Sequence, residues 1–448
     1  MYICYMKHLT LLLSLTFFIG FSLQAQFKNI VLDTQDSVTR APAEPSVAIS
    51  FKDKDNIVAA SILDKVYTTQ DGGKSWTKSR LQSSMGVWGD PVVISDKKGD
   101  FYYFHLSDPT GKNWDSEEIL DRIICQKSSD GGVSWTDGAS IGLNHPKDQD
   151  KEWAVANPKT GELYVSWTEF DDYGSKDSTC YSNILFSQSS GGKKWSDPVR
   201  INQLQGDCVD DDNTVEGAVP AVGPDGQLYV TWSYGNKIYL DRSFDKGKTW
   251  LRRDIEVTNQ PGGWTLDIPG LNRANGMPVL ICDNSLSQYR GSLYLNWSDQ
   301  RNGANDTDIW FMRSANHGDT WTAPVRVNDD APGKHQFLSW MTLDQVSGII
   351  YIVYYDRRAY DDLQTDVYLA YSTDGGFSFT NKKISERPFA PDSGYFFGDY
   401  TNVAAHDGRI VPVWTRMDNG ETSIIATVIE EEELTGKPRY SDKKGKKK

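Results

Sequence analysis

One eight-residue pattern, Ser/Thr-x-Asp-x-Gly-x-x-Trp, recurs along this chain and sets what it can fold into. Clear copies occupy 69–76, 128–135 and 243–250, carrying Asp71, Asp130 and Asp245 with Gly73, Gly132 and Gly247. Three copies are degenerate: 188–195 has Ser190 in the Asp position, 314–321 has Asn316, and 372–379 keeps Asp374 but ends in Phe379. Their last residues are spaced by 59, 60, 55, 71 and 58, room for one four-stranded antiparallel sheet per repeat. The pattern describes a hairpin turn in which Asp accepts backbone N–H groups, Gly takes a left-handed conformation, and the aromatic plugs between neighbouring strands. It is a structural device, not a catalytic one.

A second repeat fixes the number of sheets. Strands of the form Gly-x-apolar-Tyr-apolar-x-aromatic stand at 161–167, 226–232, 291–297 and 348–354, with looser copies at 99–105 and 408–414, and 56–61 fills the same place in the first unit. Apolar segments beginning near Pro45, Pro91, Trp153, Ala218, Pro278, Phe337 and Thr401 precede them and read as innermost strands. Both series count seven. The last unit has three strands, ending at 422–429, and residues 27–33 supply its fourth, which protects sheet edges from stray pairing. The expectation is an all-β propeller over 26–435 with seven four-stranded blades, closed by the N-terminal strand.

The repeats resemble the Asp-box, or BNR repeat, of the sialidase-like superfamily, over nearly the whole length after residue 25. Sialidases resemble six-bladed rings, so six is the alternative count. The resemblance implies a glycan-active protein, with three arginines for a sugar carboxylate, a Tyr nucleophile paired with Glu, and an Asp acid/base. Thr39-Arg40-Ala41-Pro42 is a loose match to the family's Arg-Ile-Pro signature, and the loop around Asp64 is shorter than its acid/base loop.

Lys7 and His8 followed by the apolar run 9–23 and Ala25 read as a signal peptide over 1–25, which implies a secreted or periplasmic protein. That run is shorter than the roughly 20 residues of a membrane span. The formal charge of −14 argues against nucleic acid or anionic lipid as a partner. The basic stretch within 436–448 reads as a solvated tail. Of the cysteines beyond Cys4, Cys180 and Cys208 fall in loops of one face and are expected to pair, whereas Cys125 and Cys282 fall inside apolar strands as free thiols.

With the Asp-boxes on one face, loops entering the inner strands and leaving the second strands emerge on the other, where a site belongs. The entrances carry Glu44, Asp90, Glu152, Glu216, Gln336 and Asp399, with Trp88 close by, an acidic ring that either caps backbone amides or shapes a substrate site. The exits carry Glu169, Asp299, Arg301, Asp356, Arg357, Arg358 and Arg416, with Asp-x-Arg repeated, as ion-pair scaffolding or as guanidinium groups converging on an anionic sugar. The expected catalytic residues are Asp90, Glu216, Asp399 and Tyr400: Asp90 as acid/base and Glu216 drawing the proton of Tyr400, with Tyr395 as the alternative tyrosine. Arg273, Arg301, Arg357, Arg358, Arg416, Trp88 and Glu152 are the expected substrate contacts.

No zinc spacing, phosphate-binding loop or nucleophile elbow appears, and no cofactor is called for. Calcium is the one ion with clustered oxygen ligands, at Asp207 and 210–212 or at Asp299, Asn305, Asp306 and Asp308, although neither spacing is that of a dedicated loop. The leading reading is a glycoside hydrolase acting on an acidic or terminal sugar. A propeller lyase using His105 and Tyr on a uronate, and a non-catalytic binding propeller, are the alternatives.

Overall fold

Six hairpin turns carry the repeat, and most are held by the same bonds. In the first, Thr69 Oγ1 accepts the Gly73 N–H at 3.0 Å, and Asp71 Oδ1 accepts the N–H groups of Lys74 and Ser75 at 2.9 and 3.0 Å. The Trp76 indole donates to the Gly73 carbonyl at 3.2 Å. Asp130, Asp245, Asn316 and Asp374 accept the equivalent N–H groups. In the turn at 188–195 the bond shifts by one residue, and Ser189 Oγ accepts the Gly192 N–H at 2.9 Å.

The glycine of each turn is required by the neighbouring blade as well as by its own backbone. Gly73 has φ +86° and a Cβ there would lie 2.5 Å from Val428; Gly376 has φ +82° and its Cβ would lie 2.1 Å from the Phe311 ring. The glycines at 132, 192, 247 and 318 face Val58, Tyr102, Phe186 and Leu240 in the same way. Each turn thus packs against the sheet before it.

The computed structural model describes residues 27–35 and 42–437, and these form seven antiparallel sheets. The innermost strands are Ser46–Ile49, Gly89–Ser95, Asp148–Ala156, Glu216–Val222, Val279–Cys282, Gln336–Leu343 and Asn402–His406. Each contacts the next, and the last contacts the first, so the ring is closed. Second strands such as Leu163–Phe170 and Ile350–Asp356 are buried along their whole length because a blade lies on either side.

The seventh blade takes its outer strand from the N-terminus, as the sequence predicts. Ile30–Thr34 runs antiparallel to Glu421–Ala426, with Ile30 opposite Ala426 and Thr34 opposite Ser423. This blade has no Asp-box. A short helix, Glu431–Thr435, follows it, with Leu434 buried and the Leu434 carbonyl accepting the Tyr371 hydroxyl of the sixth blade at 2.9 Å.

Cys180 and Cys208 form a disulfide closing a separation of 28 residues, and Cys125 and Cys282 are buried free thiols. The signal peptide expected over 1–25, residues 39–41 of the Thr39-Arg40-Ala41-Pro42 match and, of the basic tail expected over 436–448, everything after 437 lie outside the described residues. Among the described residues no helix is long and apolar enough to cross a membrane.

The glycine contacts give a direct test. Gly376→Ala should cost about 3 kcal/mol in denaturant unfolding, adding overpacking to left-handed strain. Gly174→Ala, also at positive φ (+78°) but with open space around it, should cost about 1 kcal/mol. Equal losses would mean that the contact between blades contributes nothing.

Candidate functional site

The inner strands do not enter the ring smoothly. Register shifts between Gly89 and Val92, Asp150 and Trp153, Glu216 and Val219, and Phe337 and Trp340 place a bulge at four entrances. Within these bulges Asp90, Lys151 and Leu338 take positive φ, 49°, 50° and 48°, where Gly217 takes 73°; Glu44 does so at the first entrance, at 53°. Such conformations cost of order 1–3 kcal/mol in a non-glycine residue and collect at functional sites. Here they bring charged side chains together at the mouth of the ring.

The centre of the cluster is Asp399, which is 1 % exposed. Its Oδ2 meets Arg273 at 2.5 Å and Lys151 at 2.8 Å. Its backbone N–H donates to Glu44 Oε1 at 3.2 Å, and its carbonyl accepts Asn275 Nδ2 at 2.9 Å. Lys151 also lies 3.7 Å from Asp90, and Arg273 lies 3.4 Å from Asp210, which accepts the Tyr173 hydroxyl at 2.6 Å.

These environments drive the carboxyls apart. Burial alone would raise Asp399, but Arg273 and Lys151 outweigh it and hold the carboxyl below its ordinary range. Burial pushes Asp150 up to about 7, against the pull of Lys151. Glu44, Glu152 and Glu216 are pushed well above the carboxylate range, by burial first, then by Asp90 for the first two and by Asp210 for Glu216. Neither side-chain oxygen of Glu152 or Glu216 bonds another residue, and Asp399 Oδ1 is likewise free of a partner among the described residues.

Above the cluster lies a cavity of about 140 Å³, whose lining includes Asp90, Asp150, Lys151, Arg273 and Asp399. Aromatic rings wall it: Trp114 stands edge-on to Trp88 at 6.2 Å and stacks on Tyr173 at 5.9 Å, and Phe396 borders the same space. Behind the charged cluster, and outside the cavity lining, a floor of packed rings is formed by Tyr400, edge-on to Trp153 at 5.1 Å, with Trp153 against Trp340 at 4.1 Å.

Of the sequence-predicted residues, Asp90, Glu152, Glu216, Asp399, Tyr400, Arg273 and Trp88 share this neighbourhood. They do not occupy one repeat position: Glu44 and Asp90 sit at the bulge with Lys151, Glu216 aligns with Asp150, and Glu152 lies one residue later. Glu216 and Tyr400 also answer to different charges, Asp210 and Asp150 for Glu216, and Asp90, Glu44 and Glu152 for Tyr400. Gln336 is no part of this cluster: it lies opposite Asp356 and is bonded to Asp330 at 3.0 Å. Glu169 bonds Asn144 at 2.9 Å and Lys147 at 3.1 Å.

Four arginines are engaged elsewhere. Arg301 pairs with Asp299 at 2.5 Å over the Trp310 ring, Arg358 with Asp356 at 2.8 Å over Tyr368, and Arg416 with Asp418 at 2.6 Å. Arg357 is buried, donating to the Pro269 carbonyl at 2.7 Å and to Thr365 Oγ1 at 3.0 Å. The repeated Asp-x-Arg is therefore ion-pair scaffolding, because Arg301 and Arg358 each close on the Asp two residues before them, while Arg416 closes on the Asp two residues after it.

His105 is wholly buried between the Leu106 carbonyl and Gln126, and burial lowers it to about 4. Tyr395 is exposed beside Gly420. The proposed calcium ligands are bonded within the protein: Asp210 as above, Asp212 to the Thr265 N–H at 2.9 Å, and Asp308 to Asn328 at 2.6 Å. Among the described residues no group of three or more His, Cys, Asp or Glu side chains is arranged to hold a metal. Asp150, Lys151, Trp114 and Tyr173 were not singled out as site residues from the sequence, and Asp210 was named only as a calcium ligand. The run Asp150-Lys151-Glu152 ahead of Trp153 was the available signal, since three successive charges do not fit the entry of a simple buried strand.

No protein family matches the chain, and no curated protein matches it in sequence. Among solved structures it is similar to an ulvan lyase of family PL25 bound to -[GlcA(1-4)Rha3S]-, with TM-score 0.53 and 10% identity over 92% of this chain and 100% of that one. It is similar to the GH93 α-L-arabinofuranosidase of Fusarium graminearum in complex with arabinobiose, with TM-score 0.50 and 12% identity over 91% of this chain and 98% of that one. A Hadza microbial sialidase aligns at TM-score 0.48 and 14% identity over 84% of this chain and 73% of that one. The likeness is one of propeller fold.

Because Asp399 is buried against two cations, removing one should be costly. Lys151→Met is expected to lower unfolding free energy by about 3–5 kcal/mol, since a buried charge loses its partner. Adding Asp399→Asn to that variant should recover part of the loss, and urea titration of the three proteins checks both steps.

Proposed function

We propose that the protein is a glycan-active propeller that hydrolyses a glycosidic bond of a neutral sugar in the cavity over Asp399. The observation that carries this reading is a pair of carboxyls at one cavity with opposite protonation: Asp150, neutral up to about pH 7, and Asp399, held ionised by Arg273 and Lys151. Such a pair supplies the acid and the base, or nucleophile, of glycoside hydrolysis. The hydrolase and the lyase that fold alike act on glycans by name, which supports the same substrate class here.

In this mechanism Asp150 protonates the leaving glycosidic oxygen. Asp399, its Oδ2 fixed by Lys151 and Arg273, supplies the standing negative charge beside the anomeric carbon. Trp88, Trp114 and Tyr173 present apolar ring faces to a sugar. Glu44, Glu152 and Glu216, neutral through burial, are left to donate and accept hydrogen bonds. Tyr400 takes no proton-transfer role, because burial and then Asp90 push its hydroxyl well above its ordinary range.

A neutral substrate is preferred over an anionic one on charge grounds. Both cations near the cavity already neutralise Asp399, and Asp90 and Asp210 stand beside them. A sugar carboxylate would have to compete with Asp399 for Arg273 and meet two further carboxyls.

A panel of neutral, sialylated and uronate-bearing oligosaccharides, read by mass spectrometry, tests this. Turnover is expected on neutral glycans, with kcat/KM falling about tenfold per pH unit above about 7 as Asp150 loses its proton. Asp150→Asn and Asp399→Asn should each lower kcat at least about 100-fold, the lower end of acid–base contributions. Turnover confined to sialosides or uronates, or full activity in both variants, would sink the assignment.

A further inference from the structure

We infer that the site takes an internal stretch of a neutral glycan chain, not a terminal sugar alone; this rests on the glycan reading above and deepens it. The Arg273–Asp399 pair borders two cavities, of which the one under Trp88 and Trp114 is the first. The other is lined by the same Arg273 and Asp399 together with Asp210, Thr265, Asp267 and Asn272. The second is the larger, about 400 Å³ against about 140 Å³. A pocket for a chain end would be closed on one side of its reacting carboxyls, whereas here Asp399 borders both cavities.

The second arm is a built feature. Residues 260–278 connect the fourth blade to the fifth, longer than the roughly 12–15 residues beyond which a loop is usually functional. They fold into a small hairpin: Leu266 N–H donates to the Ala274 carbonyl at 2.9 Å, Gly276 N–H to the Trp264 carbonyl at 3.0 Å, and Thr265 bridges Asn275. Three anchors hold it. Asp212 accepts the Thr265 N–H at 2.9 Å, Asn275 Nδ2 reaches the Asp399 carbonyl at 2.9 Å, and buried Arg357 holds the Pro269 carbonyl at 2.7 Å near the tip.

The two arms differ in chemistry. Aromatic rings wall the first and would stack on sugar faces, while the exposed Thr265, Asp267 and Asn272 give the second hydrogen-bonding groups suited to sugar hydroxyls. A chain lying across both places a linkage over Asp399, at the junction. The hydrolysis is the balanced step proposed above: the C–O bond of that linkage breaks, its oxygen takes the Asp150 proton, and water supplies hydroxyl to the anomeric carbon and returns a proton.

The test is length dependence, with xylo-, manno- and cello-oligosaccharides of one to six units as probes. In the full-length Asp150→Asn protein, calorimetric affinity should rise at least tenfold from the monosaccharide to the tetraose of the ladder that binds. The double variant Asp267→Ala with Asn272→Ala, checked by thermal melting, should cut that tenfold preference to below threefold. The unmodified protein should release di- to tetrasaccharides from the reduced hexaose before any monosaccharide accumulates. Affinity flat with length, a preference untouched by the double variant, or monosaccharide as the sole early product would overturn the inference while leaving the glycan reading intact. Failure of every ladder to bind or be cleaved would overturn both.

Discussion

The close approach of each Asp-box glycine to the preceding blade is the contact on which the rest depends. It repeats at Gly73, Gly132, Gly192, Gly247, Gly318 and Gly376, against Val428, Val58, Tyr102, Phe186, Leu240 and Phe311. A Cβ at these points would stand between 2.1 and 2.8 Å from its neighbour, so the blades nest only because the turn lacks one. The same turn needs a left-handed residue for its own hydrogen bonds, and glycine satisfies both demands at once. The seventh blade lacks the turn, and among the bonds that join it to the sixth are Tyr371 hydroxyl to Leu434 carbonyl and Tyr355 hydroxyl to Thr415 carbonyl. With the box face locked in this way, length and strain are left to the opposite face, where the bulged entrances and the 260–278 hairpin lie.

On that face the governing quantity is charge compensation. Seven carboxyls, from Glu44, Asp90, Asp150, Glu152, Asp210, Glu216 and Asp399, surround two cations, Lys151 and Arg273. Burying that many ionised groups together would be prohibitive. The cluster resolves the conflict by division: Asp399 takes both cations, which hold its carboxyl below the ordinary range, while burial pushes Glu44, Glu152 and Glu216 well above it. Asp150 falls between the extremes, which is why it is the group suited to exchange a proton near neutrality.

The ring was legible from short-range signals. The boxes marked one face, the count of inner strands gave seven, and the missing outer strand pointed to the N-terminal segment, which pairs with Glu421–Ala426. The cysteine pairing followed from two loops of the same face. The site was legible only in part, because bulges set its register. A shift of one residue moves a side chain to the other face of a strand. Reading Asp90, Glu152 and Glu216 as equivalent missed the bulges that separate them and passed over Asp150 and Lys151. The arginines misled for a different reason. Arg301 and Arg358 are repeated because each stacks over a ring of its own blade, Trp310 and Tyr368, and repetition of that kind marks scaffolding.

The floor explains why burial dominates these carboxyls. A propeller leaves a hole on its axis, and water in that hole would solvate charges from below. Here Trp153 and Trp340 meet at 4.1 Å across the channel with Tyr400 against them. Below them the channel is lined largely by apolar side chains of the inner strands, among them Val47, Val93, Val155, Val219 and Leu343. The carboxyls at the entrances thus have packed protein beneath and the two cavities above. Water reaches Asp399 through those cavities, and whatever fills them removes that access too. Occupation by a ligand would therefore strengthen each remaining electrostatic contact, above all the grip of Lys151 and Arg273 on Asp399.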